Sequence, residues 1–149
     1  MAHVLETGFE ILERENPNGS PTVMGYNVIN GELRSASDGE TFESRNPAWL
    51  DDCLGVFPLS TREDVNDALI SAREAFSQWS QTPAPTRGQI IGNMGRLLME
   101  HKDDIVRVET REIGKTLKES AGEVQEAIDT CLFFQSEGRR LYGQTVNSE

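Results

Sequence analysis

Residues 60–79 read STREDVNDALISAREAFSQW. Ser60-Thr61-Arg62-Glu63 has the form of a capping box, in which the Ser60 hydroxyl accepts from the Glu63 amide and Glu63 reaches back. Val65, Ala68, Leu69, Ala72, Ala75, Phe76 and Trp79 follow at spacings of three and four, which places them on one face of a helix. Upstream the pattern is different. Thr22 to Ile29 is rich in strand formers, and Asn30-Gly31 offers the two-residue turn that closes a hairpin, because both positions accept positive φ. Glu32 to Ser35 forms the return strand. Asp38-Gly39 supplies a second turn, Thr41 to Arg45 a third strand, and Leu54 to Leu59 a short last one ended by Pro58. The reading is a β-hairpin or meander followed by helices, with the change of period at Ser60.

Three more helices follow. Pro83 and Pro85 break the first and open a second, striped by Ile90, Ile91, Met94, Leu97 and Leu98. Asp103 to Ile113 forms a third through Ile105, Val108 and Ile113, with Gly114 as its C-cap. Leu117, Ala121, Val124, Ile128, Cys131 and Leu132 mark a fourth, running to about Tyr142 and stopped by Gly143. Residues 1–21 read as a flexible extension, dense in turn formers at Asn16-Pro17-Asn18-Gly19-Ser20-Pro21. The domain reading is a hairpin over 22–45 and helices over about 60–142, within one domain spanning 22–149.

The chain has 149 residues and a formal net charge of −11. Residues 1–60 carry ten Asp or Glu against Arg14, Arg34 and Arg45, a net of −7. That sign argues against nucleic acid and against anionic membrane surfaces, both of which need clustered Lys and Arg. No stretch has the apolar length of a membrane span. The acidic N-terminus does not resemble a secretory signal. Cytoplasmic location is the expectation. Two cysteines do not make a disulfide scaffold in a chain of this size.

Several motifs that suggest chemistry fail on inspection. Gly114-Lys115-Thr116 matches the end of a phosphate-binding loop, but Glu109 stands where the first glycine is needed, and a helix precedes it instead of a strand. No G-x-G-x-x-G is present. Gly92-Asn93-Met94-Gly95 lies inside a helix and reads as a close-packing site. His3 and His101 are isolated. Asp51-Asp52 and Asp103-Asp104 read as solvated pairs, and Glu109 with Glu112 as a solvated helical face. Cys131 sits on an apolar stripe and reads as a core residue. Cys53 follows two aspartates in an acidic loop, which opposes thiolate formation.

Taken in order, the segments resemble the aldehyde dehydrogenase family. Val28-Ile29-Asn30-Gly31-Glu32 resembles its opening hairpin and Arg45-Asn46-Pro47-Ala48 its Asn-Pro-Ala signature. Ser60 to Val65 with Ala72 to Trp79 is similar to its first long helix, and Pro83 to Arg87 with Arg96-Leu97-Leu98 to its second. Thr110-Arg111-Glu112-Ile113-Gly114-Lys115 resembles its acidic-x-Gly-Lys segment, and Gly122 to Asp129 with Glu137 to Gly143 its next helix and exit. The resemblance covers about residues 22–149. One departure is Trp49-Leu50-Asp51-Asp52-Cys53-Leu54, where the family usually has Thr-Gly-Glu. That difference bears on the substrate.

The resemblance implies an N-terminal portion of an α/β enzyme that oxidises an aldehyde to a carboxylic acid with NAD or NADP. In the complete enzyme a cysteine attacks the aldehyde, hydride passes to the nicotinamide, and a glutamate-activated water releases the acid. Those residues come later in the family than the stretch matched here. No catalytic or cofactor-binding residue is therefore assigned, and neither NAD nor NADP is expected to bind this chain alone. Glu112 matches an acidic position near a structural monovalent-cation site. Gly122 and Glu126 match positions bordering the substrate entrance, where an acidic Glu126 suits a cationic aldehyde. The implied partners are the aldehyde, a complementary C-terminal polypeptide and further copies in a homo-oligomer. The alternative is a non-catalytic helical interaction module or a split-enzyme subunit. Helices that pack on a cofactor domain in the family are expected to leave apolar side chains such as Phe133 and Phe134 uncovered.

Overall fold

The structure is a computed structural model that describes residues 9–12, 22–140, 142, 143 and 145. The strands are β1 (Phe9–Leu12), β2 (Thr22–Gly25), β3 (Asn27–Ile29), β4 (Glu32–Arg34), β5 (Thr41–Arg45) and β6 (Cys53–Pro58). The helices are α1 (Arg62–Gln81), α2 (Ala84–Glu100), α3 (Lys102–Ile113) and α4 (Leu117–Gln135), with a 3-10 turn at Glu137–Arg139. The chain divides into two compact units. One holds the strands, most of α1 and Arg111–Gly114, and the other holds residues 80–110 and those from Lys115 onward.

In the first unit β3 and β4 pair antiparallel around Asn30 at φ 54° and Gly31 at φ 75°, as the Asn-Gly turn requires. The other strands form a sheet in the order β1-β2-β6-β5. The meander expectation is corrected here. The hairpin leaves the sheet at Tyr26, and β2 then pairs in parallel with β6, Val23 opposite Gly55 and Met24 opposite Val56. The fully buried Thr22 hydroxyl fastens that join by donating to the Cys53 carbonyl at 3.2 Å. A second correction concerns residues 1–21. Phe9–Leu12 is a strand, antiparallel to β2, because β2 presents it a free edge. The remainder of that extension lies outside the described residues.

The start of α1 also differs from expectation by one residue. Thr61 is the cap and Asp64 its partner. The Thr61 amide donates to the Asp64 carboxylate at 2.7 Å, and the Asp64 and Glu63 amides donate to the Thr61 hydroxyl at 3.4 and 3.1 Å. Ser60 is diverted, donating instead to Asn27 Oδ1 at 3.0 Å. Asp64 is the better partner because the Ser37 amide also donates to it, at 3.0 Å. Beyond this cap much of the α1 stripe is exposed, with Leu69 at 63% and Phe76 at 65%.

In the second unit α2 meets α4 through glycine rather than through its apolar stripe. Gly88, Gly92 and Gly95 recur at four and three and are all buried, while Ile90, Met94 and Leu97 are exposed. A Cβ at Gly88 would strike the Gln135 carbonyl, one at Gly92 the Gln135 side chain, and one at Gly95 would stand 2.9 Å from Cys131 Cβ. The two backbones approach this closely only because no side chain intervenes. Val106, Val124 and Ile128 form the apolar core, flanked by Leu98, Ile105 and Ala121. The α4 helix ends at Gln135, earlier than the expected Tyr142, because Ser136 terminates it and Gly138 tucks against the Ala84 carbonyl.

Candidate functional site

The loop between β5 and β6 contains the Asn-Pro-Ala signature. Asn46 Oδ1 accepts from the Ala48 amide at 2.9 Å, which turns the chain, and the Asn46 amide donates to the Asp52 carbonyl at 3.0 Å, which closes it. The Asp52 amide donates to the Trp49 carbonyl at 2.9 Å. The Asp52 carboxylate is fully buried. It accepts from Arg111 Nε at 3.1 Å and Nη2 at 2.7 Å, and from Asn46 Nδ2 at 3.1 Å. This corrects the reading of Asp51-Asp52 as a solvated pair. Only Asp51 is exposed, because Arg111, 59 residues away, neutralises Asp52. Gly114, at φ 76°, ends α3 where a Cβ would stand 2.7 Å from Pro47 Cγ. Trp49 and Leu50 are carried outward on this loop, both exposed.

Cys53 is not in an acidic loop either. It opens β6, buried, with its sulfur 3.8 Å from the Gly55 carbonyl oxygen. Cys131 is buried on the core side of α4. Both thiols are free and buried.

Lys115, the lysine of the apparent phosphate loop, lies between two carboxylates. It donates to Glu123 and, at 3.4 Å, to Glu109. The Glu123 carboxylate, helped by Glu109, holds the Lys115 ammonium above its ordinary range against the lowering by burial. Glu123 is in turn held below the usual carboxylate range, chiefly by Lys115. Glu109 is thus an ion-pair partner rather than part of a solvated face. Thr116 caps α4 in a complete capping box with Glu119, one that the sequence reading passed over. Its hydroxyl and amide pull Glu119 below the ordinary carboxylate range.

Glu112 lies at the end of α3, exposed, and lines a pocket of about 280 Å³ with Tyr26, Asn27, Phe42, Ser44, Phe57 and Pro58. Gly122 and Glu126 are exposed, one turn apart on the side of α4 away from Val124 and Ile128. A Cβ at Gly122 would meet nothing within 4 Å. Among the described residues no three His, Cys, Asp or Glu cluster as metal ligands do. No described helix is long and apolar enough to cross a membrane.

A dinucleotide needs a glycine turn with amides free to face its phosphates, opening a helix after a strand. Gly88, Gly92 and Gly95 are instead pressed against α4, and Gly31, Gly39 and Gly114 turn the chain at positive φ. These six glycines do not form such a turn.

Residues 34–149 match the aldehyde dehydrogenase family. An alpha-ketoglutarate semialdehyde dehydrogenase of Haloferax volcanii is 38% identical over 117 residues, 78% of this chain and 24% of that protein. An NADP(+) succinate-semialdehyde dehydrogenase of Escherichia coli is 38% identical over 119 residues, 80% of this chain and 24% of that protein. A betaine aldehyde dehydrogenase of Staphylococcus aureus, solved in complex with NAD+, superimposes with a TM-score of 0.76 at 28% identity, covering 83% of this chain and 25% of that one. The chain spans about a quarter of the length of the relatives it matches. A chain matched to that family over 116 of its residues, and folded as its members are, belongs to the aldehyde dehydrogenase family.

Proposed function

We propose that this chain is the N-terminal portion of an NAD- or NADP-dependent enzyme that oxidises an aldehyde to a carboxylic acid, and that these 149 residues are catalytically silent by themselves. The family match over residues 34–149 carries the reading. Two buried thiols and a chain without a phosphate cradle among its described residues support the silence. The names of these two relatives point to a semialdehyde bearing a carboxylate. That substrate class replaces the cationic aldehyde that Glu126 alone would suit. Gly122 and Glu126 then border the substrate entrance, and Glu112 belongs to a monovalent-cation site. The working enzyme is a cytoplasmic homo-oligomer completed by C-terminal polypeptide.

The test is a spectrophotometric assay with succinate semialdehyde and either dinucleotide. The chain alone gives no reduced nicotinamide, and an added C-terminal polypeptide of the family restores turnover. Turnover by the chain alone, abolished in Cys53→Ser or Cys131→Ser, would overturn the silence. The second reading, a non-catalytic interaction module, is favoured by the exposed faces of α1 and α4, where Phe133 and Phe134 pack edge to face with each other and remain 61% and 54% exposed. It predicts no restoration by any complementary polypeptide.

A further inference from the structure

The Asn30-Gly31 turn joins a side-chain amide to a backbone nitrogen that can attack it. Both residues are exposed, and a Cβ built at Gly31 would meet nothing within 4 Å, so no neighbour shields the turn. Among the described residues neither the Asn30 side chain nor the Gly31 amide has a hydrogen-bond partner. The turn closes a sheet of its own, two strands joined by three residue pairs. A ladder that short is marginally stable by itself. Ile29 is the one buried residue of its two strands, and Val28 is 66% exposed. The other asparagines among the described residues lack this arrangement. Asn27 accepts from Ser60 and precedes the β-branched Val28. Asn46 is held by Ala48 and Asp52 and precedes Pro47, which has no amide hydrogen. Asn66 and Asn93 lie inside α1 and α2. Asp38-Gly39 is also locked, since the Gly39 amide donates to the Ala36 carbonyl at 2.9 Å and the Glu40 amide to Asp38 Oδ1 at 3.0 Å.

We infer that Asn30 is a site of spontaneous deamidation, and that the β3–β4 hairpin is the element this modification dismantles. The Gly31 backbone nitrogen gives up its proton and attacks Asn30 Cγ. A C–N bond closes a cyclic imide, the Cγ–Nδ2 bond breaks, and ammonia leaves. Water then opens the imide, at the side-chain carbonyl to give aspartate or at the backbone carbonyl to give isoaspartate. Water is consumed and ammonia released, with no change of oxidation state. Glycine permits the ring because it has no Cβ to obstruct it and its backbone is free to follow. At φ 54° Asn30 is held in turn geometry, so closure proceeds from the opened turn. The short ladder keeps the cost of that opening low. The two products differ in consequence. Aspartate leaves the chain length unchanged, and Asp-Gly suits the same turn. Isoaspartate carries an extra backbone carbon into the turn, and the pairing of Ile29 with Glu32 loses its geometry.

The experiment incubates the 149-residue chain at mildly alkaline pH, folded and in urea, and follows ammonia release and a mass-spectrometric peptide map. The map reads Asn18-Gly19, outside the described residues, separately. Asn30 converts at least about tenfold faster than Asn66 or Asn93, whose helices must open first, and its folded rate lies within about tenfold of its rate in urea. Amide exchange at Glu32 accelerates in the isoaspartyl fraction and stays slow in Asn30→Asp, which carries the charge without the extra carbon. An Asn30 that converts in urea and stays intact in the folded chain overturns the inference, because the turn then protects it. Conversion no faster than that of the helical asparagines overturns it too. Unchanged Glu32 exchange in the isoaspartyl fraction overturns the loss of the hairpin.

Discussion

Replacing Arg111 with alanine strands a carboxylate. Asp52 is fully buried and loses both guanidinium hydrogen bonds, while that from Asn46 Nδ2 remains. Breaking a buried pair by removing one partner costs about 3–5 kcal/mol. Arg111 is 23% exposed, so water reaches the vacated space and the lower end, about 3 kcal/mol, is expected. In a chain of this size each kcal/mol moves the midpoint by roughly 2–4 °C, which gives a fall of about 6–12 °C. The assay is urea and thermal unfolding followed by Trp49 fluorescence in a Trp79→Phe background, because the Trp49 carbonyl accepts from the Asp52 amide and the ring reports on this loop. The neutral double variant Asp52→Asn/Arg111→Met recovers part of the loss, since no charge is left buried. A double-mutant cycle with a coupling below about 0.5 kcal/mol would refute the reasoning, because independent sites add to within that margin.

Other consequences are simpler to state. Gly92→Val drives a branched side chain into Gln135 and is expected to destabilise the second unit by about 1–3 kcal/mol, read as a lower urea midpoint; an unchanged midpoint would show that α2 and α4 separate freely. Thr116→Ala removes the capping box of α4 and costs about 1 kcal/mol, measurable as lost helix by circular dichroism near the transition. Asp64 is held below its ordinary pKa, first by the Thr61 amide, so its stabilisation is fully present above the unfolded value near 3.8 and fades as pH falls through the lower folded value. Asp64→Asn is expected to flatten the loss of stability below about pH 4, and an unchanged acid limb in that variant would contradict the cap. Light scattering is expected to find the isolated chain self-associating through its uncovered apolar side chains, against a monodisperse monomer that binds no apolar dye.

What the sequence disclosed follows how local each determinant is. Asn30-Gly31 and Gly114 were legible because positive φ is a property of two or three consecutive residues. The glycine pair Gly92 and Gly95 was legible as close packing, although the helix face it would bury was not. The stripe divides in the structure: Ile91 and Leu98 are half-buried on the side of the glycines, while Ile90, Met94 and Leu97 are exposed, because Gln135 and Cys131 need bare backbone beneath them. The cap moved from Ser60 to Thr61 through contacts 27 and 33 residues away, at Ser37 and Asn27. Burial of Asp52 is decided by an arginine 59 positions later, and parallel pairing of β2 with β6 by 27 intervening residues. Neither leaves a mark in a local window. The Glu112 pocket is illegible for the same reason, since its aromatic residues come from β5, from β6 and from Tyr26 between β2 and β3.

The outer strand of the four-stranded sheet has a bearing on how copies of this chain meet. At β5 the sheet ends on Thr41-Phe42-Glu43-Ser44-Arg45, with Glu43 and Arg45 ion-paired and the register shifted between Ser44 and Arg45. Charges and irregular register on an edge discourage another strand from adding to it. A five-residue edge guarded in this way makes growth by backbone hydrogen bonding unfavourable. Association of copies through β5 is therefore disfavoured. Aggregates of this chain should lack the 4.7–4.8 Å repeat of stacked strands, leave amyloid-specific dyes dark, and dissolve on dilution.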